Sequence, residues 1–298
     1  MPKAAFSDQQ LADYLQARKA MVEKALRGLI KRGPAGELAD AMRHSLMAGG
    51  KRLRPVLLMA AAEASGMPAS KVLRAACALE CLHTYSLIHD DLPALDDDDL
   101  RRGKPTCHKA FGEATAILAG DALLTLAFQL MAENSLALRR DAEALRLLAL
   151  AAGYQGMVAG QVVDIASEGK RVAPATLDYI HAHKTGDLLA ASLECGAVLA
   201  GAKPAARKAL LGYGRHVGLA FQIADDILNI EGSAKKMGKA VGSDAARKKA
   251  TYPAVHGLSA AKARLGRETR AGLASIRPLG PQAAPLAALA RFVAARDH

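Results

Sequence analysis

The 298-residue chain predicts an all-α fold, and three observations carry that reading. Hydrophobic side chains make up 51% of the sequence, enough to bury a substantial core and to exclude disorder as a global description. Ala and Leu dominate, aromatic residues reach only 4% and Trp is absent, so the intrinsic preference is for helix and the β-branched, aromatic signature of strands is missing. No turn-separated alternation of period two occurs, and no strand is assigned.

The helices follow from spacing and punctuation. Ser7 suits an N-cap, and the first helix runs from there to Lys31, where GPAG ends it. A second covers Leu38 to Met47 and stops at Gly49-Gly50. Pro55, with its φ preset for a first helical turn, opens an apolar helix to Ala64 that Ser65-Gly66 and Pro68 close. From Ser70 to about Asp91 the apolar pattern is continuous until Pro93 stops it. Further helices are expected over Ala114 to Asn134, Ala142 to Ser167, Pro174 to Gly201, Pro204 to Glu231, Pro253 to Ser275 and Pro285 to Arg296. The whole chain, 1–298, is read as one domain.

Cys77, Cys81, Cys107 and Cys195 follow no disulfide framework, and MPKAAFSDQQ lacks the apolar core of a signal peptide. A reduced, cytoplasmic protein is expected. Cys77 and Cys81 share a helical face near His83, which fits small buried thiols better than a zinc site. The apolar stretch Ala114 to Ala132 is long enough to cross a bilayer, but Asp121 near its centre would be costly in lipid. We expect a bundle-interior helix and no stable membrane insertion. The net charge of +11 raises the question of nucleic acid, yet the bases are scattered and no aromatic platform accompanies them. A small anionic substrate satisfies the same charge.

Two charged segments interrupt the helices, Leu92 to Gly112 and Glu231 to Thr251. Each begins where an aspartate pair closes an apolar helix: TYSLIHDDLPALD with Asp90 and Asp91, and GLAFQIADDILNI with Asp225 and Asp226. In an unbroken helix Asp96 would rotate away from Asp90; Pro93 lets the helix end near Asp91 and the loop return Asp96 toward it. Hard carboxylate oxygens without thiolate or paired histidine favour Mg2+, which keeps waters and shares its shell with phosphates. A solvated acidic loop would explain DDDD alone. Two acidic helix ends in one apolar bundle would repel unless a metal neutralised them. An EF-hand starting at Asp96 fails, because Leu100 and Arg101 fall where the loop needs an oxygen ligand and then Gly. Arg101, Arg102 and Lys104 follow the acidic run at once and suit an anion that such a metal would bridge.

GGKRLRP (Gly49 to Pro55), SLIHDDLPALDDDDLRRGKPTCH (Ser86 to His108), HKTGDL (His183 to Leu188), GLAFQIADDILN (Gly218 to Asn229) and GKAVGSD (Gly238 to Asp244) occur in the order seen in trans-polyprenyl diphosphate synthases, and the chain resembles that family from about Glu37 onward. The resemblance implies an isoprenoid-synthase-type bundle around a central apolar cavity, a homodimer, and about three Mg2+ ions per active site. It implies a prenyltransferase that joins isopentenyl diphosphate to dimethylallyl and then geranyl diphosphate. By the family pattern Asp90, Asp96 and Asp225 bind metal. Arg101, Lys184, Gln222 and Lys239 contact the allylic diphosphate, and Thr185 steadies the cation. Lys51, Arg54, His83 and Arg102 hold isopentenyl diphosphate. Each has a plainer explanation taken alone: a solvated basic turn for Lys51 and Arg54, a surface loop for Lys239, a satisfied core group for His83, Thr185 or Gln222.

Product length becomes a question of depth below Asp90. Ser86 is about 6 Å and Tyr85 about 7.5 Å down the helix, so the tyrosine ring can form a floor. With the two-residue insertion in DDLPALD, this resembles the bacterial farnesyl type and implies a fifteen-carbon product, the alternative being a twenty-carbon, geranylgeranyl product. Two residues depart from the pattern. Asn229 stands where the second motif usually ends in aspartate, and weaker metal binding is expected; Asp187 replaces a small or apolar residue, and either pairs with a base or turns outward. A terpene cyclase is disfavoured because Ser233 occupies the position of that family's metal-binding Glu and cavity aromatics are scarce. A catalytically silent partner subunit is disfavoured because both aspartate motifs are largely kept.

Overall fold

The computed structural model of the protein describes residues 6–231 and 249–295, and its elements follow the predicted order. Helices α1 (Asp8–Leu29), α2 (Gly36–Leu46) and α3 (Leu53–Ala64) lead to a 3-10 turn and α4 (Leu73–Asp90). Ser7 caps α1 as expected: its Oγ accepts from the Gln10 amide while Gln10 Oε1 accepts from the Ser7 amide, a reciprocal box that satisfies two end donors. After the acidic loop come α5 (Cys107–Phe111), α6 (Glu113–Ala137), α7 (Glu143–Ala152) and α8 (Met157–Ser167). Then α9 (Pro174–Ile180), a π-helical turn (His181–Gly186), α10 (Asp187–Leu199) and α11 (Pro204–Glu231) follow. Among the described residues α12 (Tyr252–His256), α13 (Leu258–Ile276) and α14 (Ala284–Ala294) complete the chain.

Three departures from expectation have physical causes. The expected helix from Ala142 to Ser167 is two helices, because Gly153 and Gly156 bracket a break where helix propensity is poorest. The segment Pro174 to Gly201 is not uniform either: HAHKTG widens to a π turn, a deformation that periodicity cannot reveal. A two-stranded ladder, Leu100–Arg101 against Lys104–Pro105, stands where no strand was assigned. Its turn is Arg102-Gly103, both at positive φ (55° and 76°), which matches the twist of a two-residue hairpin. Two-residue strands are too short to show alternation.

The core lies between α3, α4, α10 and α11. Leu57 and Ala61 of α3 cluster with Leu193 and Ala197 of α10 and with Tyr213 of α11, whose hydroxyl donates to the Leu286 carbonyl. Leu79 and Leu82 of α4 cluster with Ala119 and Leu123 of α6. Each fully buried leucine contributes about 1.5–3 kcal/mol, so Leu82→Ala would loosen the helix that carries Asp90. Helix α6 corrects the expectation of an interior helix: Ala116, Leu123 and Met131 are buried, but Leu118 and Leu136 are 58% and 74% exposed. It is the one helix among the described residues long and apolar enough to cross a membrane.

Arg52, inside KRLRP, is structural. It adopts the left-handed conformation ahead of α3, is almost fully buried, and pairs with buried Glu80 while donating to the Leu46 carbonyl. This clamp orients the chain so that Arg54 projects from the first turn of α3.

Candidate active site

Helix α4 ends at Asp90 and the loop turns back as Pro93 predicts. The amide of Asp96 donates to the Asp90 carbonyl (2.8 Å), and those of Asp97 and Asp98 donate to Leu92 and Asp91. Burial pushes the Asp90 carboxyl up to about 6; nearby Lys184 opposes this and the Asp96 charge adds to it. A crowded, desolvated carboxylate of this kind gains from a cation. Lys249, near the end of the second charged segment, places its ammonium 2.9 Å from Asp96 Oδ1. The region after α11 thereby reaches the first aspartate motif.

Asp91 is only 3% exposed. It takes the Arg101 Nε at 2.7 and 2.9 Å, and Arg101 also lies 3.5 Å from Asp98. The hairpin thus seats one arginine on an internal carboxylate. Its neighbour Arg102 donates to the Gly49 carbonyl, and its guanidinium fills the space beside Gly50, where a Cβ would come within 2.6 Å of it. Burial lowers the pKa of Arg102 and takes Arg54 down to about 10. Burial, then Arg54 and Arg102, hold His83 well below its usual range. Arg54, His83 and Arg102 therefore form one electropositive corner with more cation than carboxylate, which suits an anion with several oxygens.

The π turn carries Lys184 and Thr185. A Cβ at Gly160 would lie 2.2 Å from the Lys184 amide, so only glycine lets α8 approach this turn. That contact places Asp164 Oδ2 2.6 Å from Lys184 Nζ. Thr185 donates to Gln222 Oε1 (3.0 Å), and Gln222 Nε2 donates to Asp226 Oδ1 (3.0 Å). Asp226 is 4% exposed and also accepts from the Tyr252 amide. Asp225, on the neighbouring face of α11, is half-buried and acts electrostatically on Arg54. The alternatives for Asp187 resolve to pairing: its Oδ2 is 2.7 Å from His183 Nδ1, and burial raises its pKa.

The structure brings together Asp90, Asp96 and Lys184 as one group, Thr185 with Gln222 as a second, and Arg54, His83 and Arg102 as a third. Lys51 is exposed. Tyr85 is buried about 7.5 Å down α4 from Asp90, its ring edge-on to His89 at 5.7 Å; the Ser86 hydroxyl donates to the His83 carbonyl within its own helix. Lys239 lies outside the described residues. Sequence reasoning passed over Lys249, hidden in a run of bases, and Asp164, a single acid on an apolar helix. It also passed over Asp91 as the seat of Arg101.

Among the described residues no three carboxylate, histidine or cysteine side chains gather closely enough to hold an ion by themselves. Mg2+ does not demand that; one or two carboxylates, water and substrate phosphates suffice, and the raised Asp90 carboxyl beside Asp96 fits this donor set.

A helical bundle with acidic helix ends facing buried cations defines a class of all-α enzymes that handle diphosphate esters. The Polyprenyl synthetase family model matches residues 35–273, and the chain belongs to that family. It is 51% identical to the farnesyl diphosphate synthase of Geobacillus stearothermophilus over 290 residues, 96% of this chain and 97% of the relative. It is 44% identical to that of Bacillus subtilis, covering 97% and 99%. Among solved structures, an FPP/GFPP synthase from Zymomonas mobilis superposes with a TM-score of 0.85 at 35% identity, over 96% of this chain and 100% of the other.

Proposed function

We propose that this chain, 1–298 as one domain, is a short-chain trans-prenyltransferase that condenses isopentenyl diphosphate with dimethylallyl and then geranyl diphosphate to give farnesyl diphosphate. The observation that carries the proposal is the meeting of Asp90, Asp96, Lys184 and Lys249 from three separate stretches of chain above a buried Tyr85. The names of the most similar relatives support it.

Mg2+ ions, three by family pattern, would be held by Asp90, Asp96 and Asp225 and would supply charge screening for the departing diphosphate. Arg101, Lys184, Gln222, Lys239 and Lys249 bind the allylic diphosphate. Its carbon–oxygen bond breaks with the electron pair leaving on diphosphate, and the Thr185 hydroxyl faces the resulting cation. Lys51, Arg54, His83 and Arg102 hold isopentenyl diphosphate so that its double bond attacks that carbon. A new carbon–carbon bond forms, and a proton leaves from the adjacent carbon to the released diphosphate. No side-chain base is required. Tyr85 stops elongation after the second round and favours fifteen carbons over twenty.

The exposed apolar residues of α6, Leu118 and Leu136, support a homodimer with this helix at the interface. Free thiols at all four cysteines fit a reducing cytoplasm. The test is incubation with isopentenyl and dimethylallyl diphosphates, with Mg2+ or with EDTA, reading products by mass spectrometry. A fifteen-carbon product that vanishes with EDTA is expected; prenyl transfer undiminished by the chelator would refute the proposal.

A further inference from the structure

We propose that Asp226 is a positioning residue that acts through the Gln222 amide to fix the direction of the Thr185 hydroxyl, so that oxygen lone pairs face the allylic cation. The inference rests on the reading above that Thr185 steadies that cation.

Hydrogen-bond polarity is handed on from buried Asp226 through partly buried Gln222 to partly buried Thr185. An ionised carboxylate only accepts, so the amide side that meets Asp226 must be NH2. Gln222 and Asp226 are four residues apart on one face of α11, and Gln222 Nε2 lies 3.0 Å from Asp226 Oδ1. The amide oxygen is thereby turned the other way, onto Thr185 Oγ1 at 3.0 Å. That oxygen can only accept, so it takes the single hydroxyl proton of Thr185, whose remaining capacity is two lone pairs. Lone pairs stabilise a developing positive charge, whereas a proton aimed there would oppose it.

The start of the chain is firmly held. Asp226 Oδ2 accepts from the Tyr252 amide at 2.8 Å, and His181 Nε2 lies 3.3 Å from the same oxygen. His181 and Tyr252 stack, and both are buried. Burial takes His181 down to about 4, so its ring is neutral near pH 7 and adds no competing charge. Reversing the amide would set oxygen against carboxylate and NH2 against the hydroxyl. Asp226 makes that arrangement unfavourable.

The test uses the full-length protein with Mg2+ and two allylic diphosphate analogues, one with an ammonium at the position of the cationic carbon and one uncharged. Binding is measured by calorimetry. Asp226→Asn keeps shape and lets the Gln222 amide turn over; a roughly tenfold loss for the ammonium analogue, with the uncharged one unchanged, is expected. Thr185→Val should show the same selective loss, and the double variant no further loss. Gln222→Met interrupts the relay without touching Asp226; it should weaken both analogues through its lost diphosphate contact, with a further roughly tenfold loss for the ammonium analogue alone. Equal loss of both analogues in Asp226→Asn would overturn the proposal and make Asp226 a metal or scaffold group. Selectivity lost in Thr185→Val but kept in Asp226→Asn and Gln222→Met would overturn the relay alone. Selectivity kept in Thr185→Val would remove the role of Thr185 on which the proposal stands.

Discussion

Asp90→Asn separates what the site costs the fold from what it contributes to chemistry. In the metal-free protein the Asp90 carboxyl is raised from 3.8 to about 6 by burial, with Asp96 adding to the shift. Below pH about 4 the group is protonated in both folded and unfolded chains, and its charge has no effect on stability. Between about 4 and 6 the folded protein retains a proton that the unfolded chain releases, so stability falls as pH rises; above 6 the full cost is present. Two units correspond to about 3 kcal/mol at 1.36 kcal/mol per unit, and partial exposure of the carboxylate reduces this to about 1–2 kcal/mol. Asparagine is neutral throughout. The variant should therefore be more stable than the parent by that amount at pH 7.5 in EDTA, with the gap closing toward pH 4, while prenyl transfer with Mg2+ falls more than about a hundredfold. Urea unfolding across pH, paired with turnover assays, reads both. A variant no more stable than the parent at pH 7.5, or a gap independent of pH, would refute the reasoning.

Three further outcomes are expected. Tyr85→Ala opens about one helical turn below the floor, 5.4 Å, close to the length of one five-carbon unit, so mass spectrometry should show a shift from fifteen to twenty carbons; an unchanged product would remove Tyr85 from length control. Asn229→Asp should lower the Mg2+ concentration for half-maximal turnover severalfold, and Asn229→Ala should cost far less activity than Asp90→Ala; equal losses would reverse that ranking. Arg52→Met leaves Glu80, 2% exposed, without its ion-pair partner and should lower stability by about 3–5 kcal/mol, with Arg52→Met/Glu80→Met recovering most of it in urea melts.

The all-α class and the order of the helices were legible in the sequence because both rest on local chemistry. Apolar periodicity, Ser7 as a cap and Pro93 as a stop act within a few residues of chain. The aspartate pairs announced themselves by type and position at helix ends, and so did the return of Asp96. Other features depend on a partner far away in sequence. Nothing in KRLR distinguishes Arg52, which is buried on Glu80, from Arg54, which enters the electropositive corner; the difference is which way α3 starts. The π turn and the hairpin escaped because one inserted residue, or two-residue strands, leave no period to detect.

By itself the sequence determined the bundle, the acidic helix ends and the basic residues around them, since these follow from composition and near-neighbour spacing. Only the tertiary structure decided which carboxylate each cation meets: Lys184 on Asp164, Lys249 on Asp96, Arg101 on Asp91. Charges act through space, and their pairing is set by the approach of helices distant along the chain. The close passage of α8 at Gly160 is one such approach, and without it Lys184 would lose its seat.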